Sequence, residues 1–437
     1  MLQRKALSQF EAWRARSDNH GLLVTGARQV GKTYLLEEFG RRAYANVVKF
    51  DLIENPAARR SFAQASSADD LAFRIGVMAD APLVPGNTLV IIDEVQECPE
   101  VITFAKYLVA EGAYDYAFSG SLLGVMLENI RSFPVGYVTE VEMRPLDFEE
   151  FTWASGLAPA AWDAVREAVV TARPVPDFLH ERMLQLFRRY LLVGGMPDAV
   201  NAYIATNGID ASRTVQADIR RQYGIDITKY APKGRRLVIR NIYDLIPAEL
   251  SKQNRRFNLS DIEDVRRHDQ VADDFLWLAA AGVALPAYNV SRPAYPLVVN
   301  DQRKLLKLFS NDVGLLTGTF LKRDAADLLD GRAKAALGGV YENFVAQELS
   351  ARGFPLSYFT KKGIGELDIV TERGDGAVIA FEVKSGRGYR THAALDNALA
   401  VGGYQIDEAY VLAECNVEGD GDVLYLPIYA VAALDRA

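Results

Sequence analysis

The sequence predicts an α/β protein of several domains, with a parallel sheet first, a helical middle region next and a second α/β domain last. Three observations carry this reading. Apolar runs alternate with helical stretches as far as residue 141, a glycine-rich octapeptide separates the first of those runs from the helix after it, and a mixed strand and helix pattern resumes after Pro296. At 437 residues the chain is too long for one core, and about 100 to 200 residues per domain suits two to four of them.

Taken in order, Leu7, Phe10 and Trp13 recur at helical spacing and lead into an apolar strand at Leu22–Thr25. Further strands are expected at Val47–Leu52, Leu89–Ile92, Tyr116–Phe118 and Tyr137–Val141, completing a first domain over 1–152. The Ala- and Pro-rich stretch from Trp153 to about Asp177 reads as a linker or lid entrance, followed by a helical lid domain over 178–232. Residues 233–297 have the size and order of a winged-helix module, reading as helix, loop, helix and a longer helix with Phe275, Leu276 and Leu278 ahead of Gly282. The last domain, 298–437, is expected to hold a strand near Leu305–Phe309, a helix around Tyr341–Leu349 and strands at Leu367–Thr371 and Val378–Lys384.

The octapeptide Gly26-Ala27-Arg28-Gln29-Val30-Gly31-Lys32-Thr33 fits the G-x-x-x-x-G-K-[ST] pattern in the strand-to-helix setting that the mechanism requires. Its glycines let backbone N–H groups wrap phosphates, the helix N-terminus adds partial positive charge, Lys32 reaches the β and γ phosphates, and the Thr33 hydroxyl ligates magnesium. ATP with Mg2+ is the expected ligand pair, on a P-loop NTPase sheet. Leu89–Asp93 followed by Glu94 is an apolar strand ending in two carboxylates, where Asp93 can hold the metal and Glu94 can orient the attacking water. Ser119-Gly120-Ser121 follows the next strand. If that strand lies between those of the P-loop and Asp93, its hydroxyls face the γ phosphate, and Ser119 is a cofactor-binding sensor; a plain turn explains the same residues.

In the last domain, Gly365-Glu366-Leu367-Asp368-Ile369 and Phe381-Glu382-Val383-Lys384 resemble the PD-(D/E)xK nuclease core, the restriction-endonuclease-like α/β fold, with Glu342 as an additional acid. The turn Gly374-Asp375-Gly376 supports a hairpin centred on Asp375, which sets Asp368 opposite Glu382 and puts Lys384 on the same face. Asp368 and Glu382 could hold a metal on a scissile phosphate with Lys384 activating water, so these three are candidate catalytic residues; the alternative is a scaffold in which Lys384 only neutralises the acids. Upstream, Lys252, Arg255, Arg256, Arg266 and Arg267 supply local cations for a phosphate backbone, interleaved with Asp261, Glu263 and Asp264 as in a solvated face or interdomain contact.

Across nearly its whole length the chain resembles the bacterial and archaeal AAA-type ATPases with a C-terminal domain of unknown function. The resemblance rests on the loop at Gly26–Thr33, the strand Ile91-Ile92-Asp93-Glu94, the turn at Ser119, and the segment Pro145-Leu146-Asp147-Phe148-Glu149-Glu150-Phe151. It extends through Gly194-Gly195-Met196-Pro197, Asn311-Asp312-Val313-Gly314-Leu315-Leu316 and Tyr341-Glu342-Asn343-Phe344-Val345. It implies ATP hydrolysis, with nucleotide state coupled to DNA binding or processing, or else a nucleotide-gated interaction switch with an inert C-terminal domain. Where relatives have Gly-Arg, this chain reads Phe133-Pro134-Val135-Gly136-Tyr137, which leaves Arg131 and Arg144 as substitutes for a trans-acting arginine.

The remaining composition sets limits. With 57 acidic against 49 basic residues, any nucleic-acid contact must be local. Cys98 and Cys415 lack metal-ligand spacing and read as buried free thiols in a reducing cytosol. No secretory signal is visible in Met1–Phe10, and Phe275–Leu285 is too short to span a bilayer, so a cytoplasmic protein without membrane contact is expected. DNA and a homo-oligomer stand as candidate partners beside ATP.

Overall fold

A computed structural model of the protein describes residues 2–16, 18, 20–120, 136–262, 265, 267–320, 322–331, 337–386 and 388–436. The chain divides into two compact units, one of residues 4–144 with 280–282, the other of 145–279 and 283–437 with the first three residues. The sequence reading expects four domains.

The first unit is a P-loop NTPase α/β fold. Strands β1 (Gly21–Gly26), β2 (Asn46–Asp51), β3 (Thr88–Asp93), β4 (Asp115–Ser119) and β5 (Val138–Met143) form a wholly parallel sheet in the order β2-β3-β4-β1-β5. Every residue of β1 and β3 is buried, which is why both read as continuous apolar runs rather than alternating ones. Helix Ala6–Arg14 buries Phe10 and Trp13, and Phe10 meets Phe39 of helix Lys32–Ala43 edge-on at 5.6 Å. Because β4 lies between β1 and β3, the strand ends at Gly26, Ser119 and Asp93 come together at the carboxyl edge of the sheet, where open α/β folds bind ligands.

The second unit centres on an eight-stranded mixed sheet. Its strands are β6 (Ala284–Val290), β7 (Asp301–Ser310), β8 (Ser357–Lys361), β9 (Gly365–Glu372), β10 (Val378–Val383), β11 (Glu408–Ala413), β12 (Glu418–Asp420) and β13 (Val423–Pro427), ordered β12-β13-β11-β10-β9-β8-β6-β7. Strands β9 and β10 form the expected antiparallel hairpin. Their register pairs Phe381 with Ile369 and Ala380 with Val370, and one further step sets Glu382 opposite Asp368. The helix Gly338–Ala351 is buried along most of its length, so it shows no amphipathic stripe.

Two expectations are corrected. The stretch 153–177 is no linker, since it holds the helix Ala160–Thr171, whose Trp162, Val165 and Ala168 are buried at three-residue spacing and whose alanines favour helix. The Trp162 indole donates to Thr152 at 2.8 Å and fixes this helix to the one before it. The span 233–297 forms no separate winged-helix module. Among the described residues, helix Arg236–Leu250 is followed only by single 3-10 turns at Leu259–Asp261 and His268–Gln270, then by a nine-residue helix Ala272–Ala280. Residues 284–290 then enter the large sheet, antiparallel to β7 and parallel to β8, so the boundary expected near 297 falls inside one hydrogen-bonded layer.

Candidate functional site

At the P-loop, the chain leaves β1 through Gly26, whose φ of +146° suits glycine and whose added Cβ would lie 2.1 Å from the Met143 carbonyl oxygen. The loop then passes Ala27, Arg28, Gln29 and Val30, with Gln29 and Gly31 both at positive φ, and turns into helix Lys32–Ala43. This backbone presents the first amides of a twelve-residue helix beside the sheet edge. The Lys32 ammonium is buried and donates to the Gly26 and Ala27 carbonyls at 3.1 and 2.9 Å. Burial holds it below the usual lysine range, while Glu94 and Asp93 pull the other way.

The Thr33 hydroxyl donates to the Asp93 carboxylate at 2.5 Å, although sixty residues separate them in sequence. Ser119 donates to the other Asp93 oxygen, which also accepts the Glu94 amide at 3.0 Å. Thr33 and Asp93 are hard oxygen donors in contact, a set that fits magnesium. Glu94 follows in the left-handed conformation at φ 56°, and its carboxylate accepts from the Gln96 side chain. Burial pushes the Glu94 carboxyl above its ordinary range. The structure therefore brings Lys32, Thr33, Asp93, Glu94 and Ser119 to one place. Of the remaining P-loop candidates, Ser121 and Arg131 lie outside the described residues, and Arg144 pairs with Glu142 at 2.9 Å.

At the β9–β10 hairpin, Asp368 Oδ2 accepts the Val383 amide at 2.8 Å and Lys384 Nζ donates to Glu382 Oε1 at 2.7 Å. Glu342, expected as an additional acid, lies in the same neighbourhood, but sequence reasoning missed two of its cations. Lys307 on β7 is fully buried and lies 2.9 Å from Glu366, 3.3 Å from Glu342 and 3.9 Å from Asp368. Arg255 pairs with Glu342 and stands 3.9 Å from Asp368. Four carboxylates, Glu342, Glu366, Asp368 and Glu382, thus face three cations. Burial, reinforced by Asp368, pushes the Glu382 carboxyl up to about 7. Among the described residues, no group of three or more His, Cys, Asp or Glu side chains is arranged to hold a metal. One signal for Lys307 was in the sequence, as the lone charge within the apolar run Leu305–Phe309.

Each described cation of the patch expected to meet DNA has a partner within the chain. Lys252 bonds Glu249 at 2.6 Å and also pairs with Asp261, while Arg255 is the partner of Glu342. Arg256 bonds Asn254 at 2.8 Å and Arg267 lies 3.4 Å from Asp269; Glu263, Asp264 and Arg266 fall outside the described residues. The mixed charge noted in the sequence is here the signature of internal ion pairs. Both cysteines are buried and unpaired, and burial raises each thiol to about 12.

The later sequence blocks converge on one buried knot in the second unit. Leu146 and Gly195 share a backbone bond at 2.7 Å, and Asp312 accepts from the Gly195 amide at 2.6 Å and the Leu315 amide at 2.8 Å. Gln347 bonds the Val313 amide and the Tyr190 hydroxyl, while Asn343 brackets Ser310. These motifs carry architecture. Burial pushes the Asp312 carboxyl up to about 6 against the pull of its amide donors. A carboxyl raised on folding stabilises the fold at low pH, and that contribution is lost as pH rises through the folded value. Thermal unfolding of the parent is therefore expected to weaken between about pH 4 and pH 7 more steeply than that of Asp312→Asn, which should be less stable because its amide meets an N–H donor. Parallel pH slopes for the two proteins would contradict this assignment.

Comparison with known families agrees with the first unit's fold. Residues 18–152 match the family model described as an AAA domain, residues 184–337 match the domain of unknown function DUF8612, and residues 337–429 match the domain of unknown function DUF4143. No curated protein matches the chain. Among solved structures, the Walker-type ATPase PABY2304 of Pyrococcus abyssi aligns at 13% identity with a TM-score of 0.44, covering 73% of this chain and 95% of its own. The Aeropyrum pernix ORC1 protein in complex with DNA aligns at 14% identity and a TM-score of 0.28, over 73% of this chain and 93% of its own. Cdc6p of Pyrobaculum aerophilum aligns at 12% identity and 0.25, over 76% and 96%. Among the described residues, no helix is long and apolar enough to cross a membrane.

Proposed function

We propose that the chain is an ATPase that binds ATP with magnesium through Gly26–Thr33 and hydrolyses it. Thr33 and Asp93 would hold the metal, Lys32 would face the β and γ phosphates, Glu94 would orient the attacking water, and Ser119 would sense the γ phosphate. The observation that carries this reading is the 2.5 Å contact between Thr33 and Asp93, which joins the loop to the acidic strand end with Glu94 beside it. Magnesium, when bound, would neutralise charge developing on the phosphates. Lys32 already lies in a dry, carbonyl-lined position, so phosphate oxygens can replace the carbonyls it now satisfies.

On this reading, nucleotide state is coupled to DNA binding or processing by the nuclease-like sheet, supported by the hairpin register that sets Asp368 opposite Glu382 with Lys384 adjacent. A second reading, a nucleotide-gated switch with an inert C-terminal scaffold, is favoured by Lys307 standing fully buried among the same acids. Phosphate release with and without DNA, together with plasmid nicking, separates the two. The first reading expects DNA to change turnover and expects Asp368→Ala to abolish metal-dependent nicking while leaving ATP hydrolysis in place. The absence of both DNA effects leaves the switch.

A further inference from the structure

In the second unit, residues at the ends and faces of four helices line a cavity of about 330 Å³, at the small end of the range that ligand sites occupy. Gln185 and Arg189 reach it from helix Asp177–Val193, four residues apart and so on one face. Tyr203 comes from helix Pro197–Thr206, and Asn207, left-handed at φ 49°, ends that helix. Ile209 opens helix Ile209–Tyr230 and Leu329 closes helix Lys322–Leu329, and these two supply the apolar part of the wall.

The polar groups on this wall are unused. Among the described residues, the side chains of Gln185, Arg189, Tyr203 and Asn207 make no hydrogen bond and no ion pair. Water can serve Gln185 and Asn207, which are exposed, but Tyr203 is only 6% exposed. Its ring stacks on Phe151 at 6.0 Å, which fixes a phenol whose hydroxyl lacks the partner that a buried tyrosine normally finds. Arg189 has Gln, Leu, Leu and Val at the positions three and four residues to either side, so its own helix offers it no acid. The adjacent Arg188, by contrast, is paired with Glu414.

The geometry points to a binding site for a small organic anion, whose carboxylate or phosphate group is taken by the Arg189 guanidinium and the Tyr203 hydroxyl while its apolar body lies on Ile209 and Leu329. A planar guanidinium presents paired N–H donors that match either oxyanion, and among the described residues no carboxylate lines the cavity to compete for them. The carboxamides of Gln185 and Asn207 can donate or accept, so they are suited to the ligand's remaining polar atoms. The site shares no residue with the P-loop or the β9–β10 hairpin and does not depend on the chemistry of either.

The test uses three fragments of similar shape, phenyl phosphate, benzoate and the uncharged benzamide, with the full chain in a Lys32→Ala background that weakens phosphate binding at the P-loop. Binding is read by ligand-observed saturation-transfer NMR. At least one of the two anions is expected to bind with a roughly millimolar Kd, the affinity open to a ligand of about ten heavy atoms, and benzamide at least about tenfold more weakly. Which anion binds more tightly identifies the group that Arg189 seats. Adding Arg189→Gln should weaken that anion at least about tenfold, and adding Tyr203→Phe, which keeps the ring against Phe151, about threefold or more. Because these side chains have no partners to lose, thermal unfolding without ligand should be nearly the same in every variant, which separates loss of the site from loss of the fold. Binding of neither anion, binding of benzamide as tight as benzoate, or equal binding with and without Arg189→Gln in folded proteins overturns the site.

Discussion

Lys32→Ala is expected to bind ATP at least roughly tenfold to a hundredfold more weakly and to release no measurable phosphate, since a hydrogen bond to a charged group is worth about 1.5 to 3 kcal/mol. The structure explains why the loss should be functional and not a failure to fold. Lys32 is held in a buried position where its charge is disfavoured, with the Gly26 and Ala27 carbonyls as acceptors. Removing a buried charge of that kind relieves desolvation as it removes two bonds. Far-UV circular dichroism of Lys32→Ala should therefore match the parent, while a fluorescent ATP analogue should fail to saturate it. Wild-type turnover in Lys32→Ala would remove the lysine from the site.

Glu94→Gln is expected to bind ATP as the parent does and to hydrolyse it at least about a hundredfold more slowly, the least that a positioned base typically contributes. Glutamine keeps the shape of the side chain and an oxygen that can accept from Gln96, so the ground state is preserved. What it cannot do is attract a proton from water. Because burial raises the Glu94 carboxyl above its ordinary range, the acid limb of the parent's pH–rate profile should lie at higher pH than an exposed glutamate would give. Unchanged turnover in Glu94→Gln would exclude it from the chemistry.

How much of this was legible in the sequence depended on the range of the interaction. The P-loop is a local device, and its strand, glycines and helix are contiguous, so Gly26 to Thr33 could be read directly. The position of Ser119 required only that β4 lie between β1 and β3, which the sheet order shows. The register of β9 and β10 was also legible, because a short hairpin turn determines its own pairing. Arg255 and Lys307 were not, because their partners lie 87 and 35 residues away, and the one local sign, a lone charge at Lys307 in an apolar run, does not name the partner. Arg255 was instead read with its sequence neighbours as part of a phosphate-binding patch. Similarly, Ala284–Val290 looked like the end of a helical module because its strand partners, β7 and β8, follow it in the chain.

Steady-state phosphate release by the full chain, set against ATP affinity measured on the same samples, tests most directly the claim that the Thr33–Asp93–Glu94 cluster hydrolyses ATP. The account predicts turnover by the parent that requires Mg2+, stops on chelation, and falls to background in Glu94→Gln at undiminished ATP affinity. Tight ATP binding by the parent with phosphate release no greater than that of Glu94→Gln would contradict it.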